Sequence, residues 1–199
     1  MLKSILCDVL LMLDKQALKD QILEITEKST IEGELSGLSA SDKKEIEILS
    51  ALSLSVTNII TRNYIKNLAV ERAASDKDGR IFFKDLSRPI IAVKDVVDSM
   101  NSPLVMNVFF DHVKVAAKSQ EVMISYFFEC EALNSIFDSY PLPLSLTPHI
   151  IALGVASEYL SMKLLYGEAA VFESKFKSEL EDAAGKRGSR YFPAWRGRS

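Results

Sequence analysis

Residues 147–184, TPHIIALGVASEYLSMKLLYGEAAVFESKFKSELEDAA, decide the fold class, because their apolar residues recur at helical spacing over almost the whole stretch. Thr147 and Pro148 are typical of a helix start, with a hydroxyl at the cap position and a proline in the first turn. The pattern predicts one helix over 148–166 and a second over 168–184. Together these two segments predict a helical hairpin.

One glycine separates the two predicted helices and another follows them. We expect Gly167 to cap the first helix and Gly185 to end the second, since glycine readily adopts the left-handed conformation common at helix ends. The first helix also carries small side chains that permit close approach of a neighbouring helix, namely Ala152, Gly154, Ala156 and Ser157. Two explanations remain open for its apolar faces: contact with other copies in a ring, or the core of the monomer.

The N-terminal third is also predicted to be helical. Apolar spacing indicates a helix or helix pair over 2–28 and a further helix over 42–65. Asp42 is expected to cap the latter helix, with Glu45 as its reciprocal partner. The intervening stretch, STIEGELSGLSAS, is rich in Ser, Thr and Gly and predicts a loop, in which the acidic EGE at 32–34 lies in solvent.

The middle of the chain changes period. Short runs rich in Val, Ile and Phe predict a small antiparallel β region over about 67–128, built of hairpins, with SDKDG at 75–79 as an Asp-Gly hairpin turn. The prolines of YPLPLSL then enforce an extended linker. The expected fold class is α+β and mostly helical, with N-terminal helices, this β region and the C-terminal helical hairpin. We expect a single domain over 1–184, followed by a basic extended tail over 185–199.

Charge is distributed unevenly along the chain. Residues 185–199, GKRGSRYFPAWRGRS, hold five basic residues and no acidic one, which leaves 19 basic and 27 acidic residues in the rest of the chain. The tail therefore carries a charge near +5 and the body a charge near −8 at neutral pH. A basic end on an acidic body predicts a contact between the tail and nucleic acid or an acidic protein surface.

Aromatic residues are interleaved with the arginines of this tail. Three aromatic side chains within five residues are costly to leave in water, so we favour burial on a partner over a disordered, solubilising terminus. The predicted partner-binding residues are Lys186, Arg187, Arg190, Tyr191, Phe192, Trp195, Arg196 and Arg198.

The chain contains no short motif that indicates catalysis or metal binding. No motif links His112 or His149 to a nucleophile, and we interpret each as structural or surface-lying. Cys7 and Cys130 match neither a zinc nor a disulfide spacing, so we interpret them as buried thiols. The aspartates of SDKDG lack the other ligands of a calcium loop. We therefore expect no enzyme activity, no catalytic or metal site and no cofactor.

The most apolar late stretch is not expected to cross a membrane. It runs from Leu142 to Leu165 and contains His149, Glu158 and Lys163, which make it too polar for an ordinary span. We expect a soluble protein with no membrane partner.

The order of these elements resembles that of the head–tail connector, or adaptor, proteins of tailed bacteriophages and of prophages in Gram-positive bacteria. The resemblance is carried by residues 45–98, by the strand MISYFFE and by residues 140–196. These stretches match as patterns of helix, strand and tail, without invariant chemistry. The chain departs from the family pattern by ending in AWRGRS rather than in a denser arginine cluster.

The resemblance implies a structural virion protein of the neck, assembled in the host cytoplasm. Its copies, twelve in number on a twelve-fold portal protein, form a ring that extends the channel for packaged DNA. The tail, residues 186–198, reaches into the portal, and the β region faces the next neck or tail protein. Two alternatives remain: a head-completion or tail-completion protein (a stopper or terminator), or a small DNA-binding protein that uses the basic tail.

Overall fold

A computed structural model describes residues 1–28 and 30–188, with side chains as far as residue 185. The chain divides into two compact units, whereas the sequence prediction treated residues 1–184 as one domain. The helical unit comprises Met1–Ile59 and the chain from Ala132 onward, and the β unit comprises Ile60–Glu131. The predicted class, α+β and mostly helical, is confirmed.

The helices lie close to where their apolar spacing placed them. The predicted pair over 2–28 is α1 and α2, and the predicted helix over 42–65 is α4. The helical hairpin is formed by α5 and α6, which pack on each other, and α5 also packs on α1. The helices of the described chain are α1 (Leu2–Met12), α2 (Gln16–Glu24), α3 (Ile31–Glu34), α4 (Ala40–Asn63), α5 (Pro148–Met162) and α6 (Tyr166–Gly188).

The end of α5 differs from the prediction that Gly167 caps it. The helix ends at Met162, and Leu164 adopts the left-handed conformation with a φ of 63°. The N–H of Leu165 donates to the carbonyl of Leu160 at 3.0 Å, and the N–H of Leu164 donates to Ser161 at 3.0 Å. This pair of bonds is a Schellman motif, which satisfies the last carbonyls of α5 without a glycine. Gly167 therefore lies inside α6.

Helix α6 also continues past Gly185, where the sequence predicted its end. It runs to Gly188 and so includes the backbone of the first residues assigned to the tail. Within a helix, glycine costs about 1 kcal/mol relative to alanine, but it keeps its backbone hydrogen bonds and does not block the helix.

The start of α4 is capped by Ser39 and not by Asp42. The N–H of Asp42 donates to Ser39 Oγ at 3.2 Å, and the Ser39 hydroxyl donates to the Asp42 carboxylate at 2.6 Å. The spacing is that of a capping box, with Ser39 as the cap and Asp42 three positions later, although the Asp42 carboxylate accepts from the Ser39 hydroxyl. The prediction therefore placed the cap of α4 about one turn too late in the sequence.

The predicted loop over 29–41 contains the one-turn helix α3, which is capped by Thr30 through a bond from the N–H of Gly33 to its Oγ1 at 3.2 Å. The expectation that the EGE cluster lies in solvent is wrong for Glu34, which is only 4% exposed. Its carboxylate accepts hydrogen bonds from the Ser135 hydroxyl and from the N–H of Ile136 at 3.0 Å. Glu34 is buried because these donors replace the water that it loses.

The small residues of α5 pack inside the helical unit. Ala152 and Ala156 are fully buried, and a Cβ built at Gly154 lies 2.8 Å from Val56 Cγ1 and 3.1 Å from Phe176 Cε2. The structure therefore supports the second explanation for this face, namely the core of the monomer.

The β unit consists of two three-stranded antiparallel sheets and not of the single sheet predicted. One sheet has the order β1-β6-β3 and the other β2-β5-β4. Among the described strands, only β4 and β5 form a hydrogen-bonded pair that is consecutive in sequence. The strands are β1 (Leu68–Ala74), β2 (Arg80–Phe82), β3 (Ile90–Val97), β4 (Met106–Val108), β5 (His112–Val115) and β6 (Glu121–Phe128).

The SDKDG turn is therefore not a hairpin turn, because it joins strands that belong to different sheets. Asp76 Oδ1 accepts from the N–H groups of Asp78 and Arg80, both at 2.8 Å, and holds the turn closed. Gly79 has a φ of 79°, and a Cβ there would lie 2.2 Å from the carbonyl oxygen of Val115. Only glycine fits this position.

The core of the β unit is formed by apolar side chains from both sheets. Side chains along a strand alternate between its two faces, so every second residue can enter this core. In β6, every second residue from Val122 to Phe128 is buried, and Tyr126 is fully enclosed. The other buried members of this core are Ile81, Val96, Val113 and Val115.

Candidate interaction surfaces

The structure reaches only the beginning of the predicted partner-binding tail. The backbones of Lys186 and Arg187 belong to the end of α6, and their side chains are not described. The remaining predicted residues lie outside the described part of the chain: Arg190, Tyr191, Phe192, Trp195, Arg196 and Arg198. The described geometry therefore neither supports nor contradicts their assignment.

A second surface is the turn between β4 and β5, where two adjacent phenylalanines project. The N–H of Phe109 donates to the carbonyl of His112 at 2.9 Å and closes the hairpin. Phe109 is half exposed, and Phe110 is fully exposed. A fully exposed phenylalanine contributes nothing to the core of its own fold, and exposed apolar clusters commonly mark interaction sites.

The imidazole of His112 supports this turn from inside. It stacks on the Phe109 ring at 4.6 Å between centroids and 9° between planes, and it contacts the Phe82 ring at 5.6 Å. Its Nδ1 lies 2.7 Å from Asp111 Oδ1, and this hydrogen bond lowers the pKa of the Asp111 carboxyl below its usual value. The histidine thus orients Phe109, which agrees with the structural role expected for it.

Apolar exposure continues at the other end of β4. Val105 precedes this strand and is largely exposed, as is Met100 in the preceding turn. That turn is fixed by Asp98, whose Oδ1 accepts from the N–H groups of Met100 and Ser102, both at 2.8 Å. We call Phe109 and Phe110 the β-tip surface. No prediction from the sequence included it, although the pair FF directly before Asp111 in a hairpin turn was a usable signal.

A third surface is the turn between α5 and α6. Four large apolar residues stand within five consecutive positions and are between 45% and 70% exposed: Met162, Leu164, Leu165 and Tyr166. We call these four residues the hairpin knob. Lys163 lies among them, and its Nζ is 5.4 Å from the centroid of the Tyr159 ring. An apolar turn in this position was also missed, because the sequence pattern assigned these residues to the helix interior.

A fourth candidate surface is a shallow recess near Tyr159. It has a volume of about 320 Å³ and is lined by residues that include Asp14, Lys15, Asp42 and Glu45. Lys15 forms an ion pair with Glu45, and the Tyr159 hydroxyl donates to Glu45 Oε1 at 2.7 Å. Burial is the main cause of the raised pKa of Tyr159, and the hydrogen bond to Glu45 and the charge of Glu45 raise it further. The Tyr159 hydroxyl therefore stays protonated and remains a hydrogen-bond donor. We call this feature the acidic recess.

The two cysteines and His149 were the other candidates for chemistry. Cys7 and Cys130 are both buried, as predicted, and burial raises the pKa of Cys130 to about 11. His149 is exposed and lies 3.7 Å from Glu179. No group of three metal-ligating side chains occurs among residues 1–28 and 30–188. Within the same residues, every helix is too short or too polar to cross a membrane.

The sequence matches no model of a known protein family, and it shows no significant similarity to any curated protein.

Proposed function

We propose that this chain is a structural subunit of the head–tail connector of a tailed bacteriophage, an adaptor that docks as a ring below the portal. The proposal is supported by the order of its elements: a helix pair, a long helix, an inserted β unit and a helical hairpin that leads into a basic segment. This is the order that the resemblance to adaptor proteins is based on.

The observation that carries the proposal is that helix α6 leads into the basic end of an otherwise acidic chain. One uninterrupted helix runs from Tyr166 to Gly188 and leads directly into residues 189–199, which contain three of the five basic residues and all three aromatics of the tail. A 23-residue helix is about 34 Å long. It therefore starts the basic, aromatic segment far from the hairpin turn, as suits a segment that binds another protein.

The β-tip surface supplies the second contact in this proposal. Its exposed Phe110 suits an apolar recess on the next neck or tail protein, which the resemblance implies as the partner of the β region. The acidic body would keep DNA from binding to the channel wall as it passes, since like charges repel.

The proposal is tested by adding the purified chain to capsids that carry the portal and measuring the bound chain by sedimentation. Two tail variants separate the contributions: one with the five basic residues replaced by glutamine, the other with Tyr191, Phe192 and Trp195 replaced by serine. We expect saturable binding of the unmodified chain and weaker binding of both variants. Equal binding to capsids that lack the portal would contradict the proposal.

A DNA mobility-shift assay on the same proteins tests the competing function. Suppose that the chain does not bind the portal but retards DNA, and that only the glutamine variant loses this retardation. These results would identify a DNA-binding protein. Because that binding would rest on five phosphate contacts per copy, it would weaken steeply with salt.

A further inference from the structure

The hairpin knob has a composition that the fold of its own chain does not require. Leu164 occupies the left-handed position of the turn, with a φ of 63°, where glycine or asparagine is less strained. A leucine there costs about 1–2 kcal/mol of backbone strain, and its side chain is 70% exposed. The largely exposed side chain of Leu164 is available to contact another surface.

Charge indicates which surface covers the knob. Between Tyr159 and Gly167 the only charged residue is Lys163, so the knob is apolar with one positive charge. The acidic recess has the complementary character, since its lining holds three carboxylates and one ammonium group. Lys15 already pairs with Glu45, which leaves Asp14 and Asp42 as carboxylates without a cationic partner in the described ion pairs. Its volume of about 320 Å³ suits one or two side chains better than a ligand.

We propose that the hairpin knob of one copy, with Lys163, binds the acidic recess of a second copy of this chain. Both surfaces adjoin Tyr159, because the Nζ atoms of Lys15 and Lys163 lie 5.9 and 5.4 Å from its ring centroid. The knob of a chain therefore lies near its own recess. Contact between two different surfaces is heterologous, and it forms a ring where the rotation that relates neighbouring copies closes. The inference rests on the proposed function in taking the chain to be a ring subunit, and it assigns the surface between neighbouring copies.

Sedimentation velocity of the full-length chain over a wide concentration range tests this contact. We expect concentration-dependent association of the unmodified chain. Lys163→Glu should raise the dissociation constant about tenfold or more, because it places a carboxylate against Asp14 and Asp42. The matched control is Lys175→Glu, a charge reversal on the exposed side of α6, which should leave association unchanged. Association should be restored when the Lys163→Glu chain is mixed with a second chain that carries both Asp14→Lys and Asp42→Lys.

A second variant separates contact from folding. Leu164→Gly removes the exposed side chain and relieves the left-handed strain, so it should raise the melting temperature while it weakens association. A purely structural role of Leu164 would move both properties in the same direction. A chain that is monomeric at every concentration, or association that is indifferent to Lys163→Glu, would overturn the contact. The capsid-binding experiment would still decide the proposed function by itself.

Discussion

The backbone N–H of Ile136 donates a hydrogen bond of 3.0 Å to Oε2 of Glu34, a residue 102 positions earlier in the chain. The bond joins the last residue of α3 to the segment that precedes α5, and the Ser135 hydroxyl donates to the other carboxylate oxygen. A single buried glutamate thus connects the two chain segments that build the helical unit.

We expect Glu34→Ala to lower the free energy of unfolding by about 2 kcal/mol, because it leaves the N–H of Ile136 and the Ser135 hydroxyl without an acceptor. Urea unfolding of the variant measures this loss. The matched control is Glu32→Ala, two residues earlier and exposed, which should change stability by less than about 0.5 kcal/mol. Equal effects of the two substitutions would show that the bonds of Glu34 contribute little.

Gly154→Ala should destabilise the chain by about 1–3 kcal/mol, although alanine is the better helix former. The added methyl group meets Val56 Cγ1 at 2.8 Å, and a branched side chain inside a helix has little freedom to move away. Gly185→Ala is the control, because a Cβ there has no neighbour within 4 Å. It should stabilise by up to about 1 kcal/mol. Thermal unfolding of both variants compares them, and stabilisation by Gly154→Ala would disprove close packing at this site.

The Cys130 thiol should make stability fall at high pH. Burial raises its pKa from 9.0 in an exposed thiol to about 11, and Asn67 Nδ2 lies 3.4 Å from its sulfur. The folded state therefore holds the proton more tightly than the unfolded state does. This contribution is complete below pH 9.0 and is lost as the pH rises towards about 11, by an amount on the order of 2 kcal/mol.

Comparison with Cys130→Ala isolates this effect from that of the buried Tyr126 and Tyr159, whose pKa values are also raised by burial. The unfolding free energy of the unmodified chain should decline more steeply between pH 9.0 and about 11 than that of the variant. Parallel slopes would rule out a buried, protonated thiol at this position.

Phe110→Ser should leave the free energy of unfolding within about 0.5 kcal/mol of its original value, since the side chain has no burial to lose. Phe109→Ser should be more costly, because it removes the ring that stacks on His112 at 4.6 Å. Chemical unfolding distinguishes the two variants. If Phe110→Ser proved as destabilising as Phe109→Ser, the β-tip surface would be part of the fold and not an interaction surface.

Local patterns in the sequence were sufficient for most of the helices. The apolar spacing of residues 148–184 and the Thr147–Pro148 start predicted the helical hairpin, because helix periodicity and capping depend on neighbours within a few positions. The side chain of Thr147 does accept a bond from the N–H of Ile150, at 3.4 Å. The stretch MISYFFE was likewise predicted to be a strand, and most of it lies in β6.

Strand pairing and the burial of single polar groups were decided only by the tertiary structure. SDKDG has the composition of a hairpin turn, yet β1 pairs with β6 across some fifty residues, because pairing depends on contacts that no local pattern contains. Glu34 is buried because its donors come from Ser135 and Ile136, and Leu164 adopts the left-handed conformation at the end of α5 without glycine. By itself, the sequence determined the helices, the β-rich middle and the charge of each segment. The tertiary structure decided which segments meet, since their partners lie far apart along the chain.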